Sequence, residues 1–209
     1  MRTSRTLVFL AAVTALAAGC HSSTSSGAAG APSGSSGGSQ SEGTSGSAAP
    51  TAPASGGLTT CRTSSLRITL DTSLASGAAG STYYPIDFTN TSAGPCELAG
   101  YPGVSFVTAT DGTGRQIGAA AQRNPQFGSV AVRLDADGHA HAWLQVAQAG
   151  NYPASSCSPA TAHGLRVYPP DETQAGYIQR DFSACAMAGA QVLTVMPVRG
   201  GDGAQGIVP

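Results

Sequence analysis

The chain predicts an all-β fold, an antiparallel β-sandwich that is immunoglobulin-like in size. Three observations carry that expectation. Short runs alternate apolar with polar residues, clusters of Gly, Pro, Asn and Asp separate them, and no long run beyond the first twenty residues repeats with helical period. Alternation at period two is what a half-buried strand requires, because successive side chains point to opposite faces of a sheet. Many short strands at this spacing pack as two facing sheets, and a barrel is the alternative closure.

The strands follow in order. Leu66-Arg67-Ile68-Thr69-Leu70 alternates without a break, and so does Ile86-Asp87-Phe88-Thr89. Residues 130–134 and 140–146 do the same, and residues 104–108, 165–168 and 191–198 supply further strands. Residues 130–146 predict a hairpin. Val130, Val132 and Leu134 share a face with Ala140, Ala142, Leu144 and Val146, and that parity requires a loop of odd length. Ala136-Asp137-Gly138 meets the requirement as a type I turn followed by a left-handed Gly138. Leu134 then faces Ala140 and Val132 faces Ala142. The outer face would carry Asp135 opposite His139 and Arg133 opposite His141, with Trp143, the only tryptophan, alongside.

The five cysteines are Cys20, Cys61, Cys96, Cys157 and Cys185, so one must be left over. In an exported chain the last four are expected to be oxidised. A strand that starts near Cys61 and a partner that ends near Asn90 bring Cys96 beside Cys61, which leaves Cys157 for Cys185. Each bridge would stabilise the fold by about 3.5–4 kcal/mol on the chain-entropy model. A four-cysteine metal site is the rival, but it lacks a close C-x-x-C pair.

Residues 1–19 read as a lipoprotein signal peptide. Arg2 and Arg5 precede an apolar run over residues 6–18, which is too short for a membrane span of about 20 residues. Ala17-Ala18-Gly19 then leads into Cys20 and resembles the bacterial lipobox, although Ala17 stands where Leu is usual. Cleavage after Ala15-Leu16-Ala17, leaving Cys20 a stray thiol, is the alternative. A lipidated Cys20 would become the mature N-terminus and a partner of the membrane. From residue 20 to 60 the chain is almost entirely Ser, Gly, Ala, Thr and Pro, with Glu42 as the one charge. Such a tract cannot offset its ordering entropy and is expected to be a disordered tether with a reach of roughly 35 Å. It would hold the domain, residues 61–199, at the extracellular face of the cell membrane within the envelope. Residues 200–209 are expected to form a flexible tail. Ten basic residues, all Arg, balance eleven acidic ones without clustering, which excludes a nucleic-acid partner.

The run "FTNTSAGPCELAGYPGVSFV", the later "LRVYPPDE" and the cysteine before the final strand resemble the bacterial domain of unknown function 4232. That domain is common in secreted lipoproteins of actinomycetes. The resemblance covers residues 61–198, including four cysteines and a Gly-Tyr-Pro-Gly corner in which Pro102 and Gly103 suit the centre of a type II turn. It implies a compact β domain exposed outside the cell, and it implies no catalytic residue.

Nor do the residues themselves assemble a catalyst. Gly103-Val104-Ser105-Phe106-Val107 is not a nucleophile elbow, and its alternation points Ser105 outward. Asp135, Asp137, Asp171 and Glu172 lie in turn sequences, where Asp is expected for turn formation. His139 and His141 project from one face as metal ligands must, with Asp135 as a third donor. The adjacent Arg133 and the solvated face argue against a metal, and no cofactor is expected. The chain is therefore read as a non-enzyme, a surface domain for an envelope protein or component. The alternative is a sandwich that binds a glycan or small ligand on Trp143 and the tyrosines. Arg133, His141 and Trp143 form the candidate binding surface, with Trp143 partly buried against a long 147–163 loop.

Overall fold

The computed structural model describes residues 57–205; the signal run, Cys20, the tether to residue 56 and residues 206–209 lie outside them. In chain order the strands are β1 Leu66–Leu70, β2 Ser76–Ala78, β3 Ser81–Asn90, β4 Cys96–Ala99, β5 Gly103–Val107, β6 Gln116–Ile117 and β7 Gln122–Arg123. They continue as β8 Ala131–Leu134, β9 His139–Ala147, β10 Pro159–Tyr168, β11 Gly176–Cys185, β12 Leu193–Val195 and β13 Arg199–Gly200. One sheet runs β1-β3-β9-β12-β7, with β2 on β3 and β13 on β9. The other runs β11-β10-β5-β6, and β4 with β8 forms a separate ribbon. Every pairing is antiparallel except β12 with β7. The chain is thus an all-β sandwich.

Alternation explains the core. On β3 and β9 the even positions Ile86, Phe88, Ala140, Ala142 and Leu144 are fully buried, and Phe106, Leu165, Val167 and Leu193 meet them in one cluster. Each large apolar side chain removed from water this way stabilises the fold by roughly 1.5–3 kcal/mol. Phe182 of β11 links the layers: its ring lies 6.0 Å edge-on from Tyr84 of β3 and 5.3 Å from Phe106 of β5.

The expected 130–146 hairpin does not form. The inward parity is right for Val132, Leu134, Ala140, Ala142, Leu144 and Val146, all buried, but Val130 is exposed. β8 pairs with β4, setting Leu134 opposite Cys96, whereas β9 pairs with β3, setting Ala140 opposite Phe88. Residues 135–138 therefore pass from the ribbon to the larger sheet. The left-handed residue of that turn is Asp137 (φ 58°), not Gly138, whose N–H donates to the Asp135 carbonyl.

Asn90 makes the crossing possible. Its side chain is fully buried, donating through Nδ2 to the Gly94, Leu134 and Asp135 carbonyls and accepting from the Ser92 N–H and Oγ through Oδ1. Its backbone also exchanges hydrogen bonds with Gly138 and Asp137. Replacing it removes these bonds, among them the buried one to the Leu134 carbonyl. Asn90→Ala is expected to lower stability by about 2–3 kcal/mol, measured by urea unfolding. A change under about 0.5 kcal/mol would contradict the role given to this side chain.

Three further expectations are corrected. The Gly-Tyr-Pro-Gly corner turns at Gly100 (φ 108°), while Gly103 is already extended in β5 opposite Tyr168. Ser105 is only 4% exposed rather than outward in solvent, since β5 is flanked by β10 and β6 and its neighbours are covered on both faces. The 147–163 segment is no long loop: it holds a helical turn at Ala149–Asn151, the short helix α1 Ala154–Cys157 and the first half of β10.

Two disulfides are present, Cys61–Cys96 and Cys157–Cys185, each between residues close in sequence (separations 35 and 28). Around the first, the Cys61 N–H donates to the Glu97 carbonyl and the Glu97 N–H to that of Thr59. Glu172, in the turn after β10, accepts from both the N–H and Oγ1 of Thr63 through Oε2. This carboxylate fastens the start of the domain to the 169–175 turn.

Candidate functional site

The three residues of the candidate binding surface are not brought together. Arg133 lies on β8 in the ribbon, exposed, with its guanidinium 2.7 Å from Asp135 of its own strand end. His141 and Trp143 lie on the outer face of β9, as their parity requires, but they are 2% and 5% exposed. Their rings meet edge-on with centroids 6.5 Å apart. At His141 solvent is kept off by residues 199–201, which pair with β9 and bond its ring.

That covering is built residue by residue. β13 extends the line of β12 along β9, with Arg199 opposite His141 and Gly200 opposite Ala140. Arg199 is anchored sideways, its guanidinium donating to the Phe127 and Gly128 carbonyls. Gly201, in the left-handed region (φ 83°), turns the chain across the sheet. Its N–H donates to the His139 carbonyl and its carbonyl lies 3.0 Å from His141 Nδ1. A carbonyl only accepts, so Nδ1 carries the proton of that bond. The Gly203 N–H then donates to Oδ1 of Asp87 on β3. Pro85, opposite Trp143 in register, touches Gly203 so closely that a Cβ there would overlap the proline ring. Residues 200–205 of the expected flexible tail thus form β13 and a helical turn at Gly203–Gln205 against the sheet.

Asp87 is the feature of this surface that alternation alone did not single out. It reads as an ordinary outward polar residue of β3, yet burial pushes its carboxyl above the usual aspartate range. The Gly203 N–H pulls it back down, Asp71 and Asp202 add to the rise, and His141 opposes it. Within the same layer, His141 Nε2 and Trp143 Nε1 are buried without a protein partner.

The two histidines considered as metal ligands have separate duties. His139 is exposed, with Nδ1 3.2 Å from Thr89 Oγ1, while His141 bonds Gly201 and Asp135 pairs with Arg133. The aromatic residues are dispersed rather than gathered. Tyr101 donates to the Asn124 carbonyl, Tyr152 to that of Gln191, and Tyr84 packs on Phe182. A polar hollow of about 250 Å³ lies beside the Cys61–Cys96 bridge, where Thr59, Arg62, Ser65, Ser92 and Pro95 line it. No helix among the described residues is long and apolar enough to cross a membrane.

Fold and surface together define a small disulfide-bonded β-sandwich domain. The chain belongs to the family described as Domain of unknown function (DUF4232), whose model matches residues 61–199. No curated protein and no solved structure matches it.

Proposed function

We propose that the chain is a lipoprotein anchored through Cys20 at the extracellular face of the cell membrane, whose sandwich is a non-catalytic domain that contacts an envelope protein or component. The observation that carries this reading is the cysteine balance. Four cysteines pair with one another in two bridges, so Cys20, two residues after the end of the apolar run of residues 6–18, has none of them as a partner. Disulfides of this kind persist in oxidising compartments, in keeping with export. A thioether-linked diacylglycerol gives the remaining sulfur a use, and two acyl chains suffice for stable anchoring.

The glycan-binding alternative draws less support. Sugar stacking needs an exposed aromatic platform, whereas Trp143 is covered and several tyrosines are engaged within the fold. Fatty-acid labelling in a bacterial host tests the anchor. Wild type is expected to carry the label and sediment with membranes, while Cys20→Ser loses the label and appears in the medium. Label retained by Cys20→Ser would end the lipoprotein assignment. Cross-linking of the anchored chain on intact cells is expected to recover an envelope partner, and recovery of none would remove the interaction role.

A further inference from the structure

We propose that the polar hollow beside the Cys61–Cys96 bridge is an anion site that takes the phosphate of a membrane lipid headgroup, docking the anchored domain at the root of its tether. The lipid source rests on the anchored reading of Cys20; the anion chemistry of the hollow does not. Its volume, about 250 Å³, falls just under the roughly 300–1,000 Å³ of pockets for drug-sized ligands and suits a headgroup. Its lining is rich in donors. Thr59, Thr60, Ser65 and Ser92 bring hydroxyls, and Arg62 brings a planar fork of N–H groups that matches phosphate oxygens. No lining residue is acidic. Glu97, the nearest carboxylate in sequence, stands opposite Arg133 of β8. Among the described residues the ion pairs are Arg133–Asp135 and His163–Asp181, so the exposed Arg62 meets no carboxylate.

The walls are fastened independently of any ligand. Backbone bonds tie Thr59 and Cys61 to Glu97, and the disulfide holds Cys61 to Cys96. The Ser65 carbonyl accepts from the Thr91 N–H, which joins the two sides of the hollow. The Asn90 side chain holds Ser92 and the Gly94 carbonyl. A site built this way has little freedom to lose on binding. Its place in the chain argues for a lipid source. The described residues begin at 57, so the segment that leads back to Cys20 leaves the domain two residues from Thr59. A tether with a reach of roughly 35 Å keeps headgroups at an effective concentration on the order of millimolar. One guanidinium and a few hydroxyls make a weak site in free solution, and that tethering is what fills it.

Modification of Arg62 by phenylglyoxal in the full chain, read by peptide mass, reports on the site, with the exposed Arg115 as reference. In Cys20→Ser, which has no sulfur to lipidate, inorganic phosphate is expected to slow modification of Arg62 severalfold and leave Arg115 unchanged. Thr59→Val, Thr60→Val and Ser65→Ala together keep Arg62 but remove hydroxyls. They should raise the phosphate concentration for half-protection about tenfold. The lipidated wild type in phosphatidylglycerol vesicles should show Arg62 protected without added phosphate. Vesicles of digalactosyl diacylglycerol, which carries no phosphate, should leave it reactive. No protection by inorganic phosphate, or equal protection in both kinds of vesicle, would overturn the anion site. Protection by inorganic phosphate but not by phosphatidylglycerol vesicles would overturn the lipid docking. A failure of lipidation shows separately, as wild-type chain that does not enter vesicles; it removes the lipid source and leaves the phosphate result on Cys20→Ser standing.

Discussion

Trp143→Ala is expected to destabilise the sandwich by about 3–5 kcal/mol, the usual cost of removing a buried indole. Exposed positions usually tolerate truncation within about 0.5 kcal/mol, so the two situations are well separated. At 5% exposure Trp143 belongs to the buried class. It stands on a central strand, opposite Pro85 and edge-on to His141, whose own ring bonds the Gly201 carbonyl. Alanine there would remove the ring that stands edge-on to His141 and opposite Pro85. Nε1 has no partner, so the indole N–H adds nothing to the stabilisation and burying it carries a cost. Trp143→Phe, which keeps most of the ring and removes that donor, is accordingly expected to stay within about 1 kcal/mol of wild type. Urea unfolding followed by far-ultraviolet circular dichroism measures both variants. An alanine variant as stable as wild type would show that the outer layer does not bear on the fold.

The burial of Trp143 also marks the limit of what alternation conveys. Parity states which residues share a face, and it placed His141 and Trp143 together on the outer side of β9. It does not state what covers that face. At His141 the cover comes from Gly201, sixty residues away, in a run that is small and polar and carries no periodic signal. The same limit explains the hairpin. Val132, Leu134, Ala140 and Ala142 have the inward parity of a hairpin and of a crossing between sheets alike, because both bury the same side chains. The decision is made by Asn90, whose side chain holds Leu134 and Asp135 while its backbone holds Gly138.

Where a strand was legible throughout, as in Leu66–Leu70, it is regular and its alternation unbroken. β10 was legible only from Leu165, because its register shifts between Ala162 and Gly164 and the inward parity changes there. β11 was not legible at all. Between the inward Ile178 and Phe182 lies Arg180, a residue that argues against a buried face. Its guanidinium carbon sits 5.2 Å from the Tyr84 ring and 5.6 Å from that of Phe182, so a cation caps the aromatic edge of the core. Of the candidate surface, the lone tryptophan was legible as a residue to watch. The carboxylate beside it was not, since nothing local distinguishes Asp87 from a solvated strand position.

Replacing Cys157 and Cys185 together by alanine is expected to cost about 3.5 kcal/mol, the loop-closure entropy that the crosslink removes from the unfolded chain. The native environment argues that little of this is returned as relief. Both cysteines are fully buried, and the bridge joins the last residue of α1 to the last residue of β11. Pro159 stands opposite Cys185, so the crosslink closes the open end of the β10–β11 ladder, remote from the 169–175 turn. Backbone bonds already align that end, from the Ala186 N–H to Ser158 and from the Met187 N–H to Cys157. The other bridge differs in what it holds. Cys61–Cys96 ties an irregular N-terminal segment to β4, with the Thr60–Glu97 bridge and the Thr63–Glu172 bonds as its further attachments. Its removal should cost a similar global amount, about 3.8 kcal/mol on the same model. It should also raise amide exchange selectively at Cys61 and Glu97, whereas loss of Cys157–Cys185 should raise it at the Ala186 and Met187 amides. Urea unfolding and site-resolved exchange on the two paired-alanine variants separate these outcomes. A cost below about 1 kcal/mol for the Cys157–Cys185 pair would mean that the ladder end is already closed without its sulfurs.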